Sequence, residues 1–230
     1  MSEGKDKKYK VVILDTINQI QNNQYMNMLD ENTMVTRDKW KDFGVDIYML
    51  LEHLKKLNCE IVLVLGYEGS GKSYGIKGLN PETTMWIHAD NKPITFKGGR
   101  QNYDSKKGNF TVPKTYERVK EIITGCNDRK ANKDKPLLVF ITGHIEDYKT
   151  NDGDIRQRLK TLGAFASKMN IEGAVSNCFY TDVQYIGDNP KYRLRLANNG
   201  SDTCRALESL FDTTYIDNNF GLVAKAIANY

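Results

Sequence analysis

Gly66-Tyr67-Glu68-Gly69-Ser70-Gly71-Lys72-Ser73 is a G-x-x-x-x-G-K-S octet, the spacing at which a backbone can close around a phosphate. Gly66, Gly69 and Gly71 give access to positive φ and leave no Cβ in the way, so successive N–H groups can converge on one anion. Lys72 adds a point charge for the β and γ phosphates, and Ser73 a hydroxyl for the Mg²⁺ that travels with a nucleotide. A helix over residues 73–79 would aim its positive end at the same anion. Gly75 and Gly78 predict that this helix is short. The octet by itself points to ATP or GTP, and the apolar run at residues 61–65 is the strand that must precede it.

A phosphate loop that hydrolyses its nucleotide works with a carboxylate at the end of a hydrophobic strand, which helps to hold the Mg²⁺. The apolar strand at residues 137–142, followed by Gly143 and His144, has no carboxylate. Val11-Val12-Ile13-Leu14-Asp15-Thr16 does, which makes Asp15 the candidate partner of Ser73 in a metal site.

The elements that must position these residues are legible as apolar runs separated by helical stretches, the rhythm of a mainly parallel sheet. Strands are expected at residues 11–14, 61–65, 84–89 and 137–142, and helices at 40–57, 116–123, 155–169 and 218–229. Residues 174–185 and 192–197 alternate around Gly187-Asp188-Asn189-Pro190, an antiparallel hairpin signal. The polar stretch up to Met34 carries no element in this reading, residues 91–112 read as a partly ordered insertion, and residues 146–154 as a mobile segment. Arg193 and Arg195 fall on one face of the second hairpin strand, read as exposed.

A chain of 230 residues with 40% hydrophobic residues has the core for one α/β domain. Within it, residues 1–58 carry the Asp15 strand and helix, 59–135 the phosphate loop and a basic segment, and 136–230 the later strand, hairpin and closing helix. Cys59, Cys126, Cys178 and Cys204 are widely spaced with no C-x-x-C, which suits a reduced, cytoplasmic protein. The charged start and the lack of an apolar run of roughly 20 residues argue against export or a membrane. The net charge is +4, yet between Lys97 and Lys135 eleven basic residues face five acids. Such an excess could attract a polyanion such as single-stranded DNA.

Residues 65–73 and 84–98 resemble the first and second strands of the phage-type RecA-like ATPases, recombination and single-strand-annealing accessory proteins with an AAA-type nucleotide domain. Residues 11–16 resemble the Mg²⁺ strand of that family and Phe140-Ile141-Thr142-Gly143-His144 its sensor strand. Tyr180-Thr181-Asp182-Val183, the hairpin and residues 198–205 match as well, so the resemblance covers most of the chain. It implies a RecA-like α/β fold and an Mg-ATPase that acts on single-stranded DNA, with self-association expected if Arg205 works in trans. It also implies that Tyr67, Glu68, Ser70 and Tyr74 line the nucleotide with the loop glycines, that Asp90 activates water, and that His144, or Thr142 in its place, senses the γ phosphate. Arg205 would reach a nucleotide, across a subunit boundary if the chain assembles. Residues 146–154 would stand where a DNA-contacting loop lies, with Arg156, Arg158 and Lys160 as its better cations. The order departs from the family in one respect: there the Mg²⁺ strand follows the phosphate loop, whereas Asp15 precedes Gly66. A parallel sheet can absorb such rewiring if each strand keeps its neighbours. Two other readings remain open, a small-molecule kinase and a non-hydrolysing ATP-gated assembly module.

Overall fold

The computed structural model describes residues 9–30, 37–90, 92–94, 96–127, 135–161 and 171–230. Val11–Asp15 forms β1, all five residues buried, and Ile17–Asp30 forms α1. Arg37–Lys56 is α2, Glu60–Gly66 is β2, and Lys72–Gly78 is a 3-10 helix. Thr84–His88 is β3, Gly99–Asn102 the short α3, Phe110–Thr111 β4 and Tyr116–Cys126 α4. Leu138–Lys149 is β5, Ile155–Leu159 β6, Asn177–Ile186 β7, Asn189–Arg195 β8, Tyr215–Asp217 β9 and Phe220–Ala228 α5.

Among the described residues the strands run β4-β3-β1-β5-β2-β7-β8-β9, parallel from β4 to β7 and antiparallel beyond, while β6 folds back antiparallel on the far half of β5. The architecture is therefore α/β, a mostly parallel central sheet flanked by helices with antiparallel C-terminal strands. Alternate residues of the central strands feed two cores, which is why these strands are continuously apolar. Val12, Leu14, Leu63 and Val139 pack with α1, α2 and α4, while Ile13, Val62, Val64 and Phe140 pack with the 3-10 helix and α5. Phe140 and Phe220 stack across the second core with centroids 4.6 Å apart and planes 7° from parallel.

Several expectations are corrected. The polar stretch after β1 is helical: Ile17, Ile20 and Gln21 are buried against the sheet, but too few apolar residues follow to show a helical period. The helix expected at residues 155–169 begins as a strand, because Ile155–Leu159 pairs with Ile145–Lys149 and the Glu146–Arg158 ion pair at 2.8 Å fixes the register. Residues 162–169 lie outside the described residues. The segment expected to be mobile is instead the end of β5 and the turn of this hairpin, where Thr150 N donates to Asp154 O at 2.8 Å. Residues 91–112 contain α3, β4 and a 3-10 turn at Ser105–Lys107. Neither hairpin arginine is exposed: Arg195 is buried and bonded to Asp202, and Arg193 is half-buried on Asp182. In the basic segment, Arg118 and Lys120 pair with Glu121 and Glu117, and Arg129, Lys130 and Lys133 lie outside the described residues.

Candidate nucleotide site

The carboxyl ends of parallel strands are where α/β sheets bind ligands, and the singled-out residues collect there. Asp15 ends β1, Gly66 ends β2 and His88 ends β3, while His144 lies on β5 directly opposite Gly66. β5 separates the Asp15 strand from the phosphate-loop strand, and Thr142 on it bridges the gap.

Asp15 is fully buried. Ser73 Oγ donates to its Oδ2 at 2.8 Å and Thr142 Oγ1 to its Oδ1 at 2.5 Å. His88 Nδ1 stands 3.6 Å from Oδ2. Burial alone would raise the carboxyl, but His88, Thr142 and Ser73 outweigh it and hold its pKa below the usual carboxylate value. Burial depresses His88 in turn, and the Asp15 carboxylate more than reverses this, so its pKa is raised.

The phosphate loop turns on Gly69 and Gly71, at φ 74° and 88°. Gly66 does not use positive φ. It is needed for close approach, since a Cβ there would stand 1.8 Å from Thr181 Oγ1. Thr181 Oγ1 bonds Leu65 O at 3.2 Å and Ser70 Oγ at 2.6 Å, tying the loop to β7. Lys72 is buried and donates to Gly66 O at 2.9 Å and Tyr67 O at 2.7 Å. Burial lowers its pKa to about 8 against the pull of Asp15 and Glu68. The helix that follows is 3-10 rather than α. Gly75 and Gly78 lie against the start of α5, where Asn218 Nδ2 donates to Gly71 O at 2.7 Å. Tyr74, on the same turn, packs against Tyr192 with ring centroids 4.9 Å apart and planes tilted by 41°.

Tyr67 turns away from the loop: its hydroxyl donates to Asp147 Oδ1 at 2.5 Å and accepts from Gln157 Nε2 at 2.8 Å. The β5–β6 arm is thereby bonded to the phosphate loop. Asp90 lies just past Ala89, whose amide donates to Asp15 O at 2.7 Å, and its carboxylate is held by Lys92 at 2.8 Å. Glu68 is exposed, and its charge is felt by Lys72, Lys92 and His144. The His144 amide donates to Asn18 Oδ1 at 2.7 Å, and its Nδ1 is buried without a partner among the described residues. Burial, then Lys72, depresses its pKa, which keeps the ring neutral near pH 7.

Arg205 does not join this group. Its guanidinium donates to the carbonyl oxygens of Glu172, Val175 and Thr203, and its backbone bridges Cys178, which pairs with Leu63 in mid-strand. A guanidinium held by carbonyls of its own chain is not presented to a nucleotide. His88, by contrast, enters the site although only its strand drew notice in the sequence. The available signal was its place at the end of a strand that could pair with β1.

The donor set can be tested against Mg²⁺. Among the described residues no three His, Cys, Asp or Glu side chains gather as a metal cage. A hydroxyl and one ionised carboxylate are what remain, an oxygen-only pair of the kind Mg²⁺ uses when phosphates and waters complete its shell. The residues fit that ion and would not suit a cage-bound transition metal. Comparison of the chain with protein-family models, with curated proteins and with solved structures finds no match in any of the three.

Proposed function

We propose that the chain binds a magnesium-bound nucleoside triphosphate, ATP by preference, and hydrolyses it as a RecA-like ATPase that acts on single-stranded DNA. The observation that carries this reading is the 2.8 Å hydrogen bond from Ser73 Oγ to Asp15 Oδ2, made between residues 58 positions apart. Asp15, expected from the sequence as the partner of Ser73, lies within hydrogen-bond reach of it, which supports a shared ion.

Ser73 and Asp15 would hold the Mg²⁺, which when bound neutralises charge on the phosphate oxygens. Lys72 places its ammonium within the loop, and the backbone from Gly69 to Ser73 orients the phosphates. Thr142 keeps Asp15 ionised and fixed. Asp90 is the carboxylate available to orient or deprotonate an attacking water, with Lys92 holding it in place. Neutral His144 beside Gly66 supplies a ring nitrogen that can respond to the γ phosphate. The β5–β6 arm carries Lys149, Arg156 and Lys160 and is bonded to Tyr67, which supports coupling between nucleotide and polyanion. Self-association finds no support from Arg205, which stays within its chain.

Mg-dependent phosphate release from ATP, measured with and without single-stranded DNA, tests the reading. Expected outcomes are DNA-stimulated turnover in the natural chain, loss of nucleotide binding in Lys72→Ala, and turnover reduced by about a hundredfold in Asp15→Asn, within the range for lost charge stabilisation at a catalytic centre. Transfer of phosphate to an added nucleoside would favour the kinase reading. Binding without turnover would favour the assembly module. Undiminished nucleotide binding in Lys72→Ala would sink all three.

A further inference from the structure

The opposite edge of the sheet holds a cleft of about 960 Å³, between the beginnings of β1, β3 and β5 on one side and α5 with the end of the 3-10 helix on the other. That volume lies within the range of small-molecule pockets. The floor is apolar, formed by Val11, Leu79, Leu138, Ala224 and Ile227. Three lysines line it, Lys10, Lys135 and Lys225, and none has an ion-pair partner among the described residues. The one acid in the lining, Glu60, accepts from Asn177 Nδ2 at 3.3 Å, and burial pushes its pKa up.

Thr84, which begins β3 and also lines the cleft, is fully buried with its hydroxyl toward the Tyr103 phenol, so the groups left to meet a ligand's charge are the three lysines.

We propose that this cleft is a binding site for a small organic anion. Its carboxylate or phosphate lies among Lys10, Lys135 and Lys225, and its hydrocarbon or aromatic body covers the apolar floor. Lysines suit this role because an ammonium on a flexible stem follows an anionic head without demanding one geometry. The cleft shares no residue with the phosphate loop, so the proposal stands or falls apart from the nucleotide reading. It does touch Gly78, the end of the helix that begins at Lys72.

Calorimetric titration of the full chain with octanoate, octyl phosphate and octanol tests it. The expected result is one site per chain for at least one of the two anions, with octanol at least tenfold weaker. Whichever anion binds identifies the head group. Lys135→Ala and Lys225→Ala should each weaken anion binding severalfold and leave octanol unchanged. Ala224→Phe, which fills the floor, should abolish binding of all three while melting as a folded protein. If that variant does not fold, Lys225→Ala on the exposed side of α5 carries the test. Equal affinity for anion and alcohol, lysine variants with undiminished anion binding, or no binding at all would overturn the proposal.

Discussion

Thr142 has no charge and no place in the G-x-x-x-x-G-K-S pattern, yet it donates the shorter of the two hydroxyl bonds that reach Asp15. Replacing it with valine keeps the shape and removes the donor, leaving a buried carboxylate oxygen without its partner. Loss of an outer hydrogen bond of this kind lowers metal affinity or activity about 10- to 100-fold. Thr142→Val should therefore raise the Mg²⁺ concentration for half-maximal turnover by that order, with melting little changed. Lys72 gives a pH prediction. Its pKa of about 8 means that the ammonium is lost as pH rises through that value. A bound phosphate favours the charged form and raises the pKa, so nucleotide binding near pH 8 takes up a proton. Affinity should be flat well below pH 8 and fall by up to about tenfold per pH unit above it. Titrations in two buffers of different ionisation enthalpy would show the uptake; pH-independent affinity up to pH 9.5 would contradict it. Asp15 and Lys72 were readable in the sequence because each sits in a local pattern. Thr142 was read only as a stand-in for His144 and His88 only through its strand, since their contacts with Asp15 depend on which strands become neighbours of β1.

At the scale of elements, the 3-10 form of residues 72–78 follows from close packing. A Cβ on Gly75 would stand 2.5 Å from the Phe220 ring and 2.4 Å from Asn218 Oδ1, and a Cβ on Gly221 would stand 2.2 Å from Gly78 O. Two helices approach at glycines, so the phosphate-loop helix gives up length and regularity to lie against α5. Gly75→Ala should cost about 1–3 kcal/mol as an overpacked contact and weaken nucleotide binding, because Asn218 in the same contact holds Gly71 O. Gly125→Ala is the control: it lies in α4, where an added Cβ meets nothing within 4 Å, and should stabilise by roughly 0.5–1 kcal/mol. Urea unfolding of both variants measures the difference, and equal effects would refute the packing account. The same scale shows where sequence reading works. Buried strands such as Val11–Asp15 declare themselves by a continuous apolar run. α1 does not, because half of its residues after Ile20 are Asn or Gln. β6 does not either: Ile-Arg-Gln-Arg-Leu is short and polar, and its strand form is dictated by the far half of β5. The closing helix, expected at residues 218–229, forms at Phe220–Ala228, where the Asn219 side chain accepts from Gly221 N at 2.9 Å as its cap.

The whole molecule is organised by one sheet that serves two cores, and this binds the segments before and after the glycine-rich loop into a single cooperative unit. β1 comes first in sequence but lies in the interior of the sheet, between β3 and β5, so the Asp15 unit cannot separate from the phosphate-loop unit without exposing two strand edges. Parallel neighbours that distant in sequence need tertiary packing before either strand is stable, because the pairing brings no local hairpin with it. Phe140 lies at the centre of this arrangement. It is fully buried, pairs with Ile13 on one side and Val62 on the other, and stacks on Phe220. Truncating it to alanine should cost about 3–5 kcal/mol, a large part of the total stability of a domain. Because β5 passes through both cores, the loss should not stay in the α5 layer. Far-UV ellipticity, which follows the helices of the α1, α2 and α4 layer as well as α5, and Trp86 fluorescence, read in a Trp40→Phe background so that it reports the α5 side, should move together to a lower urea midpoint in Phe140→Ala. If instead the Trp86 signal were lost while most helicity persisted, the two layers would be separable, and the view that one sheet ties the Asp15 strand rigidly to the phosphate loop would fail.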